Sequence, residues 1–359
     1  MKTGLVLEGG AIRTIFSSGA CDALLTRDIM FDYVVGVSAG IAYGVSYLSR
    51  QSGRNLTILQ RYVNDKRYMG GRNLLRPDNR SYFGLEFAYE IIPNELVPFD
   101  YEAFAAFPGE AEAVVTNLNT GQAEYLPVPK RDDHWLVLQA TCALPFLFPI
   151  YHLNGQPYLD GGIADGIPYQ HAFDKGCDRV VVFLTRERSY VRRPKKLSYL
   201  FDVFYHQYPQ LKEAMLRRAE GYNACRERLF ALEKEGKGYV VASLGVDSGY
   251  VPYTSYSAKT SFLNENPQII QSFTNALQKG MDYVQSHSPE EIAQVISPQF
   301  PETDMDTLTT IVKRYYEQDT WKENLIFEKD SFELLQDILE SAGELSDRAD
   351  CENLVTSAF

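Results

Sequence analysis

A single serine lies between two glycines in the segment GVSAG, residues 36–40. An apolar segment precedes it, and a second apolar segment without proline follows it. Glycines two positions before and two positions after a serine allow a sharp turn from a strand into a helix, because no Cβ atom obstructs the turn. Gly36 and Gly40 would then hold the Ser38 hydroxyl at the carboxyl end of its strand, where it can act as a nucleophile. The same pentapeptide also occurs by chance in ordinary strand-to-helix turns, so its surroundings must decide.

The segment LVLEGGAIR, residues 5–13, supplies the first of these surroundings. A glycine pair directly after a strand exposes backbone N–H groups, which are the donors that an oxyanion hole requires. The turn of Gly9, Gly10 and Ala11 is therefore a candidate oxyanion hole, and Arg13 can add positive charge beside it. Two other interpretations stay open here. A dinucleotide site is disfavoured because the segment lacks the G-x-G-x-x-G spacing, and a plain tight turn needs no function.

An aspartate precedes two glycines in PYLDGGIADGIP, residues 157–168. Asp160 follows a short apolar strand, and Gly161 and Gly162 would let its loop approach another loop closely. Alone, such a segment is more often a turn than a catalytic site. An aspartate within hydrogen-bonding reach of a serine, however, can take the hydroxyl proton directly as a general base.

A histidine is the usual base for a serine nucleophile, and the chain has five of them, none beside a glycine-rich turn. His171 is the one to keep as an alternative, because Ser38, Asp160 and His171 follow the chain order of ordinary α/β-hydrolases. The position of the serine argues against that alternative, since the elbow of those enzymes usually follows several strands and here follows the second. The others are expected to be surface or packed residues: His134, His152, His206 and His287.

These motifs need a scaffold that brings strand ends together, and the order of the segments predicts one. Short apolar runs at 4–7 and 33–37 are each followed by a helical pattern, at 15–27 and 39–50. This β-α-β-α order favours an α/β fold, with a central mainly parallel sheet and helices on both faces. Further strands are predicted at 111–117, 122–128 and 179–185, and further helices at 56–67, 134–143, 168–174 and 209–234.

Composition excludes several classes of protein. A chain of 359 residues with 45% apolar side chains can bury a large core, and more than one domain is expected. No uncharged apolar run is long enough to span a bilayer, and Gly and Glu come too early for a signal peptide, so we expect a cytoplasmic protein. Five scattered cysteines without C-x-x-C argue against a disulfide framework or structural zinc. A net charge of −12 gives no reason to expect nucleic-acid binding.

The set LVLEGGAIR, GVSAG and LDGG, with QATCALPFLFP before the last, resembles the patatin-like phospholipase family, and its bacterial cytoplasmic branch in particular, over about residues 1–238. The resemblance implies that Ser38 is the nucleophile and Asp160 its partner in a Ser-Asp dyad that works without histidine. It also implies that the turn at 9–11, with Arg13, is the oxyanion site. The implied reaction is hydrolysis of carboxylic esters in acyl lipids, such as phospholipid or lysophospholipid, through an acyl-serine intermediate, with no metal and no cofactor.

The chain departs from the family pattern at two positions. Many members have Arg-Gly where this chain has Arg13-Thr14, and a serine where it has Cys142. Both changes are small and neither touches the dyad, so we interpret them as tuning. The alternative function of a different class is a catalytically weak lipid-binding or scaffold protein that keeps the fold.

Residues 186–205, RERSYVRRPKKLSYLFDVFY, interleave basic and aromatic side chains. This pattern suits peripheral contact with an anionic membrane. A solvated loop followed by a core-packing helix is the competing interpretation, and the favoured one. The residues concerned are Arg186, Arg188, Arg192, Arg193, Lys195, Lys196, Tyr190, Tyr199, Phe201 and Phe204.

The last third of the chain has a different character. Residues 1–238 carry 28 Lys and Arg against 27 Asp and Glu, whereas residues 239–359 carry 7 against 20. The acidic part resembles the closing segment of bacterial ABC-transporter substrate-binding proteins of the nitrate, sulfonate and thiamine-precursor type. It is expected to be mostly helical, since Asn266 can cap a helix, Pro267 fits its first turn, and one apolar stripe follows. That stripe is Ile270, Phe273, Leu277, Met281 and Val284.

Such a segment is only part of a two-lobed binding protein. Because the residues that would build most of a ligand cleft are absent, a binding function is not expected for it. A chimera of two unrelated segments is favoured over a functional fusion and over a family tail that merely looks similar.

Overall fold

The computed structural model of the chain describes residues 1–77, 79–132, 134–194, 198–242, 249–252, 255–301, 303–317, 320–341 and 345–356. Contacts divide the chain into two compact units, Met1–Gly238 and Tyr239–Phe359, and each is considered by itself. Among the described residues, no helix is long and apolar enough to cross a membrane.

The first unit is built on one seven-stranded mixed sheet. Its strands are β1 (Thr3–Leu7), β2 (Tyr33–Val37), β3 (Glu110–Asn117), β4 (Ala123–Pro127), β5 (Tyr151–Leu153), β6 (Gln156–Asp160) and β7 (Arg179–Phe183). The strands β7, β1, β2 and β3 lie side by side and run parallel. Antiparallel pairing joins β4 and β6 to β3, and β5 to β6. The predicted α/β fold is confirmed.

Burial on both faces explains the apolar sequences of the central strands. All five residues of β2 are buried, as are four of the five in β1. Successive side chains of a strand point to opposite faces, so Leu5 and Leu7 join the core cluster on one face while Val6 joins the cluster on the other. Helices must therefore cover both faces of the sheet, as is usual for parallel strands.

Six helices of the first unit match predicted segments, and all but the last of these six are shorter than predicted. The helices of this unit are α1 (Ile15–Leu25), α2 (Ala39–Leu48), α3 (Arg54–Tyr62), α4 (Gly71–Leu74), α5 (Tyr101–Ala106), α6 (Leu136–Cys142), α7 (Tyr169–Asp174), α8 (Ser198–Phe204) and α9 (Pro209–Lys234). Short 3₁₀ helices span Ala11–Thr14 and Gly161–Ile163, and a π-helix spans Phe87–Leu96. The π-helix, α4, α5 and β5 have no counterpart among the predicted segments.

The pairings of β3 determine where two chain segments meet. Strand β4 pairs along most of one edge of β3. Strands β2 and β6 both pair with residues of β3 that β4 also contacts, so they must share the other edge. Val37 ends β2 opposite Val114, and Asp160 ends β6 opposite Val115. The two strands run in opposite directions and end head to head, with Ser38 at the joint.

The second unit has only helices as regular elements in its described residues. They are α10 (Thr260–Glu265), α11 (Pro267–Ser286), α12 (Pro289–Ile296), α13 (Met305–Glu317), α14 (Lys329–Ser341) and α15 (Cys351–Leu354), with a 3₁₀ turn at Ser297–Gln299. The side chains of Ser288 and Glu291 form a capping box at the start of α12. A small core packs Ile292 and Ala293 against residues of α13. None of the residues of α11 is buried, so its apolar stripe is only partly covered.

Candidate active site

Ser38 occupies the turn between β2 and α2 in a conformation that few side chains adopt. Its φ is 53° and its ψ is −133°, whereas the residues around it are extended or helical. A non-glycine residue held at positive φ costs about 1–3 kcal/mol and persists only where the surroundings fix it. The side chain is half-buried, so its hydroxyl can be reached from solvent. The predicted strand-to-helix elbow is therefore present in the structure.

Close packing explains both glycines of the elbow. A Cβ atom on Gly36 would lie 2.8 Å from the backbone nitrogen of Ile41, in the first turn of α2. A Cβ atom on Gly40 would lie 2.5 Å from the carbonyl oxygen of Leu7, at the end of β1. The first glycine lets the helix fold back over its own strand, and the second lets it approach the neighbouring strand. Both therefore position α2 so that its N-terminus, with its partial positive charge, faces the site.

Thr141 fixes the backbone of the elbow from α6. Its hydroxyl oxygen accepts a hydrogen bond of 2.8 Å from the Ser38 backbone N–H, and the hydroxyl itself donates to the carbonyl of Val114. The residue is fully buried. Thr141 belongs to the segment QATCALPFLFP, but it was not among the predicted site residues. No local pattern marks a side chain that acts on a backbone 103 positions away.

Asp160 lies at the head-to-head joint, opposite the serine. It is only 2% exposed, and the nearby Ser38 hydroxyl favours the ionised form of its carboxylate. The N–H of Gly162 donates to Oδ1 over 2.8 Å, while the backbone N–H of Asp160 itself donates to the carbonyl of Ala143. Burial raises the pKa of this carboxyl. The positive charge of Arg218 and the hydrogen bonds from Ser38 and Gly162 oppose that rise without cancelling it.

The two glycines after Asp160 let its loop press against the sheet. A Cβ atom on Gly161 would lie 2.1 Å from the carbonyl oxygen of Val114, which no side chain can tolerate. One on Gly162 would lie 3.4 Å from a methyl group of Val37. The loop of Gly161 and Gly162 therefore follows the same strand ends that carry the serine.

The turn that begins at Gly9 lies directly beside the serine. A Cβ atom on Gly9 would lie 3.1 Å from the Cβ of Ser38, and one on Gly10 would lie 2.9 Å from the hydroxyl oxygen of Thr185. Ala11 has a φ of 50°, so the turn is held in a left-handed conformation by a residue with a side chain. In the part of the chain that the structure describes, no hydrogen bond uses the N–H of Gly9, Gly10 or Ala11. These donors remain available for an oxyanion.

Arg13 is exposed and lies near charged and aromatic groups. Burial of its inner part and the charge of Arg186 lower its pKa, and the carboxylate of Glu8 opposes that effect. Glu8 is buried and accepts a hydrogen bond of 2.5 Å from the hydroxyl of Tyr222. This contact connects the turn to α9. Arg13 therefore adds positive charge at the rim of the turn.

Cys142 packs next to the serine. The hydroxyls of Ser38 and Tyr89 interact with its thiol. Burial, together with the carboxylate of Asp160, raises the thiol pKa to about 12, so the side chain is neutral at physiological pH. A neutral thiol does not compete with the carboxylate for the serine proton.

His171 is engaged elsewhere. Its Nε2 atom is 2.8 Å from Oε2 of Glu112, and its ring stacks on Tyr125 at a centroid distance of 3.5 Å. Glu112 also accepts hydrogen bonds from the hydroxyl of Tyr33 and the ammonium group of Lys175. Within the described residues, no hydrogen bond joins this histidine to Ser38 or Asp160. The structure therefore gives a triad with this histidine no support.

The basic and aromatic segment 186–205 divides its side chains between the core and the surface. Phe201 is buried, whereas Tyr199 and Phe204 are exposed by 64% and 67%. Several arginines have partners within the first unit: Arg186 stacks on Tyr190, the exposed Arg188 pairs with Glu233, and Arg192 stacks on Tyr222 at 3.9 Å. Lys195 and Lys196 lie outside the described residues.

Comparisons with known proteins match part of the chain. Residues 5–173 match the family model described as "Patatin-like phospholipase". The "Uncharacterized protein YjjU" of Escherichia coli (strain K12) is 26% identical over 198 residues, which are 51% of this chain and 52% of that protein. The "Putative binding protein YtlA" of Bacillus subtilis (strain 168) is 39% identical over 113 residues, 32% of this chain and 34% of that protein. The chain thus spans about a half and about a third of the lengths of these relatives.

Proposed function

We propose, from the match of residues 5–173 to the patatin-like phospholipase family, that the chain is a serine hydrolase that cleaves carboxylic esters of acyl lipids. The observation that carries the proposal is that β2 and β6 end head to head, which brings Ser38 next to the buried Asp160 carboxylate. The strained turn, the nearby N–H donors of the 9–11 turn and the helix N-terminus support it. Phospholipid, lysophospholipid and simpler acyl esters are the substrates to test.

The first half of the reaction forms an acyl-enzyme. The Ser38 oxygen attacks the ester carbonyl carbon while Asp160 takes the hydroxyl proton, and the carbonyl oxygen becomes an oxyanion. The N–H groups of Gly9, Gly10 and Ala11 donate to that oxygen, and Arg13 adds positive charge. Collapse of the tetrahedral intermediate breaks the ester bond, and the departing alcohol carries away the proton from Asp160.

The second half releases the fatty acid. A water molecule attacks the acyl-serine carbonyl while Asp160 takes its proton, and the oxyanion forms again in the same place. Collapse of this intermediate breaks the bond to Ser38, whose oxygen recovers the proton from Asp160. The cycle needs the carboxylate in its ionised form at the start of each half. The products are one carboxylic acid and one alcohol for each ester and water consumed.

The test is covalent labelling of Ser38 by a fluorophosphonate, combined with assays against acyl esters and phospholipids. Wild-type protein should be labelled at Ser38 and should release fatty acid, whereas Ser38→Ala should do neither. Ser52→Ala, which changes an exposed serine, is the matched control and should behave as the wild type does. Absence of labelling and of hydrolysis in a folded wild-type protein would contradict the proposal and favour a catalytically weak lipid-binding or scaffold protein.

Peripheral contact with an anionic membrane completes the proposal. Helix α8 exposes Tyr199, Val203 and Phe204, and Phe146 packs edge-on against Phe204 at 5.9 Å. An exposed apolar face suits a lipid surface, and in the sequence a basic stretch precedes this helix, which favours an anionic one. Sedimentation with phosphatidylcholine vesicles should recover more protein when they contain phosphatidylglycerol, and Phe204→Ser should reduce the bound fraction. Equal recovery with and without the anionic lipid would rule out this contact.

A further inference from the structure

Helix α9 reaches the dyad although it lies outside residues 5–173. The residues that it buries recur at helical spacing and include Leu211, Ala214 and Tyr222. Arg218 lies on the same face of the helix, one turn before Tyr222. The helix packs on the short 3₁₀ helix that follows Asp160. The packing of this buried face of α9 thus places Arg218 next to the loop that carries the proposed base.

Arg218 binds that loop directly. Its Nε–H donates to the carbonyl oxygen of Gly162 over 2.7 Å. The N–H of the same glycine donates to Oδ1 of Asp160 over 2.8 Å. A single residue therefore lies between the guanidinium and the carboxylate and hydrogen-bonds to both. Any movement of the arginine would be passed to the orientation of the carboxylate.

The charge of Arg218 acts on the same carboxylate. Asp160 has several polar groups around it: the hydroxyl of Ser38, the thiol of Cys142 on α6, and the guanidinium of Arg192. Among the groups that oppose the effect of burial on this carboxyl, Arg218 acts most strongly. The carboxylate in turn stabilises the positive charge of Arg218. Replacement of Arg218 by an uncharged residue would leave the nearly fully buried carboxylate with Arg192 as its remaining cationic neighbour.

We propose that Arg218 is a positioning residue for the Ser38–Asp160 dyad. It clamps the loop at Gly162 and stabilises the ionised form of Asp160. This inference rests on the proposed function, because it assumes that Asp160 is the base. It assigns α9 a part in catalysis that neither the serine motif nor the oxyanion turn supplies.

Three variants separate the clamp from the charge. Arg218→Lys keeps the charge, Arg218→Gln keeps a donor without charge, and Arg218→Met keeps only the apolar stem. Arg217→Gln is the matched control, because Arg217 is the exposed neighbour on the same helix. For each protein, kcat/KM and the rate of fluorophosphonate labelling at Ser38 are measured as a function of pH over the range in which the protein stays folded.

Removing the charge should move the acidic limb of both profiles to higher pH, because Asp160 then protonates more readily. We expect this shift for Arg218→Gln and Arg218→Met, with a loss of kcat/KM at neutral pH on the order of tenfold to 100-fold. Arg218→Lys should keep the acidic limb near its wild-type position and lose part of the rate through the weaker clamp. Arg217→Gln should reproduce the wild-type profile.

Profiles of Arg218→Gln and Arg218→Met that overlay the wild-type profile would overturn the proposal, as would an equal shift in Arg218→Lys. A purely structural role would lower the unfolding temperature without moving the acidic limb. If none of the three variants folds, Arg218 serves stability and the proposal is wrong. Failure of the proposed function would look different, because wild-type protein would then show no labelling at Ser38.

Discussion

Asp160 has its carboxylate in a place that water hardly reaches. Burial favours its neutral form, and the neighbouring cation and donors recover only part of that effect. The proposed role as a base needs the ionised form, so that role would cost stability. The consequence is a stability profile that differs in sign from that of an ordinary salt-bridged aspartate.

That sign leads to a prediction for Asp160→Asn. Because the native-state pKa is raised above the unfolded value, the carboxyl contributes stability below the unfolded pKa that is lost as pH rises through the native pKa. The asparagine variant, which stays neutral, should therefore have a higher free energy of unfolding than the wild type at neutral pH. The difference should vanish in acid. Urea unfolding over a series of pH values measures it.

The control for this measurement is Glu213→Gln, which neutralises an exposed carboxylate on α9 and should follow the wild-type curve. An Asp160→Asn protein that is less stable than the wild type at neutral pH would show that Arg218 and the hydrogen bonds more than offset burial. The account of the site's electrostatics would then be wrong.

At the scale of elements, the elbow depends on how closely α2 approaches β1. Gly40→Ala places a Cβ atom 2.5 Å from the Leu7 carbonyl and 3.0 Å from that of Glu8. The helix must move away, and overpacking of this kind costs about 1–3 kcal/mol. We expect that loss in the free energy of unfolding, together with a lower rate of Ser38 labelling, because the serine moves with the helix.

Gly19→Ala provides the matched control. Gly19 is an exposed glycine within α1 whose added Cβ atom would meet no atom within 4 Å. Replacing a helical glycine by alanine stabilises by roughly 0.5–1 kcal/mol. Chemical unfolding of the two variants should therefore give changes of opposite sign. A neutral or stabilising effect of Gly40→Ala would contradict the role assigned to this glycine.

The elements that local patterns determine were predictable from the sequence. The β-branched runs of β1 and β2 and the apolar periodicity of α9 predicted these elements nearly to their ends. The hairpin of β5 and β6 was not predicted as a pair, because its place on the free half of the β3 edge depends on where β2 stops. Ser38 and Asp160 were predictable because glycines mark both. Thr141 and Arg218 were not, since a contact across the fold leaves no local signal.

For the whole molecule, the site and the core that holds it lie within the first unit. Every residue proposed for the dyad, the oxyanion site and the Arg218 clamp precedes residue 239. A chain of residues 1–238 should therefore fold and hydrolyse the same esters as the full chain, within a few-fold in kcat/KM. The acidic second unit carries no proposed part of the chemistry, and its resemblance to substrate-binding proteins stays a prediction.

A chain truncated after residue 208 provides the contrast. The truncation removes α9, and with it Leu211, Tyr222 and Arg218, from the packed face of the first unit. We expect this shorter chain to lose cooperative unfolding and Ser38 labelling. Limited proteolysis of the full chain should leave a stable fragment that ends after α9. A 1–238 chain that fails to fold would show that the first unit is not independent.

The central claim is that Asp160 takes the Ser38 proton directly, without a histidine. The most direct test compares kcat/KM for Asp160→Asn and His171→Ala, with circular dichroism to verify both folds. The dyad predicts a loss of at least about 10³-fold for Asp160→Asn, close to that of Ser38→Ala, since members of one catalytic unit fail together. It predicts a value near the wild type for His171→Ala. A folded His171→Ala protein that loses activity on the order of 10⁴-fold would contradict the account and identify a triad instead.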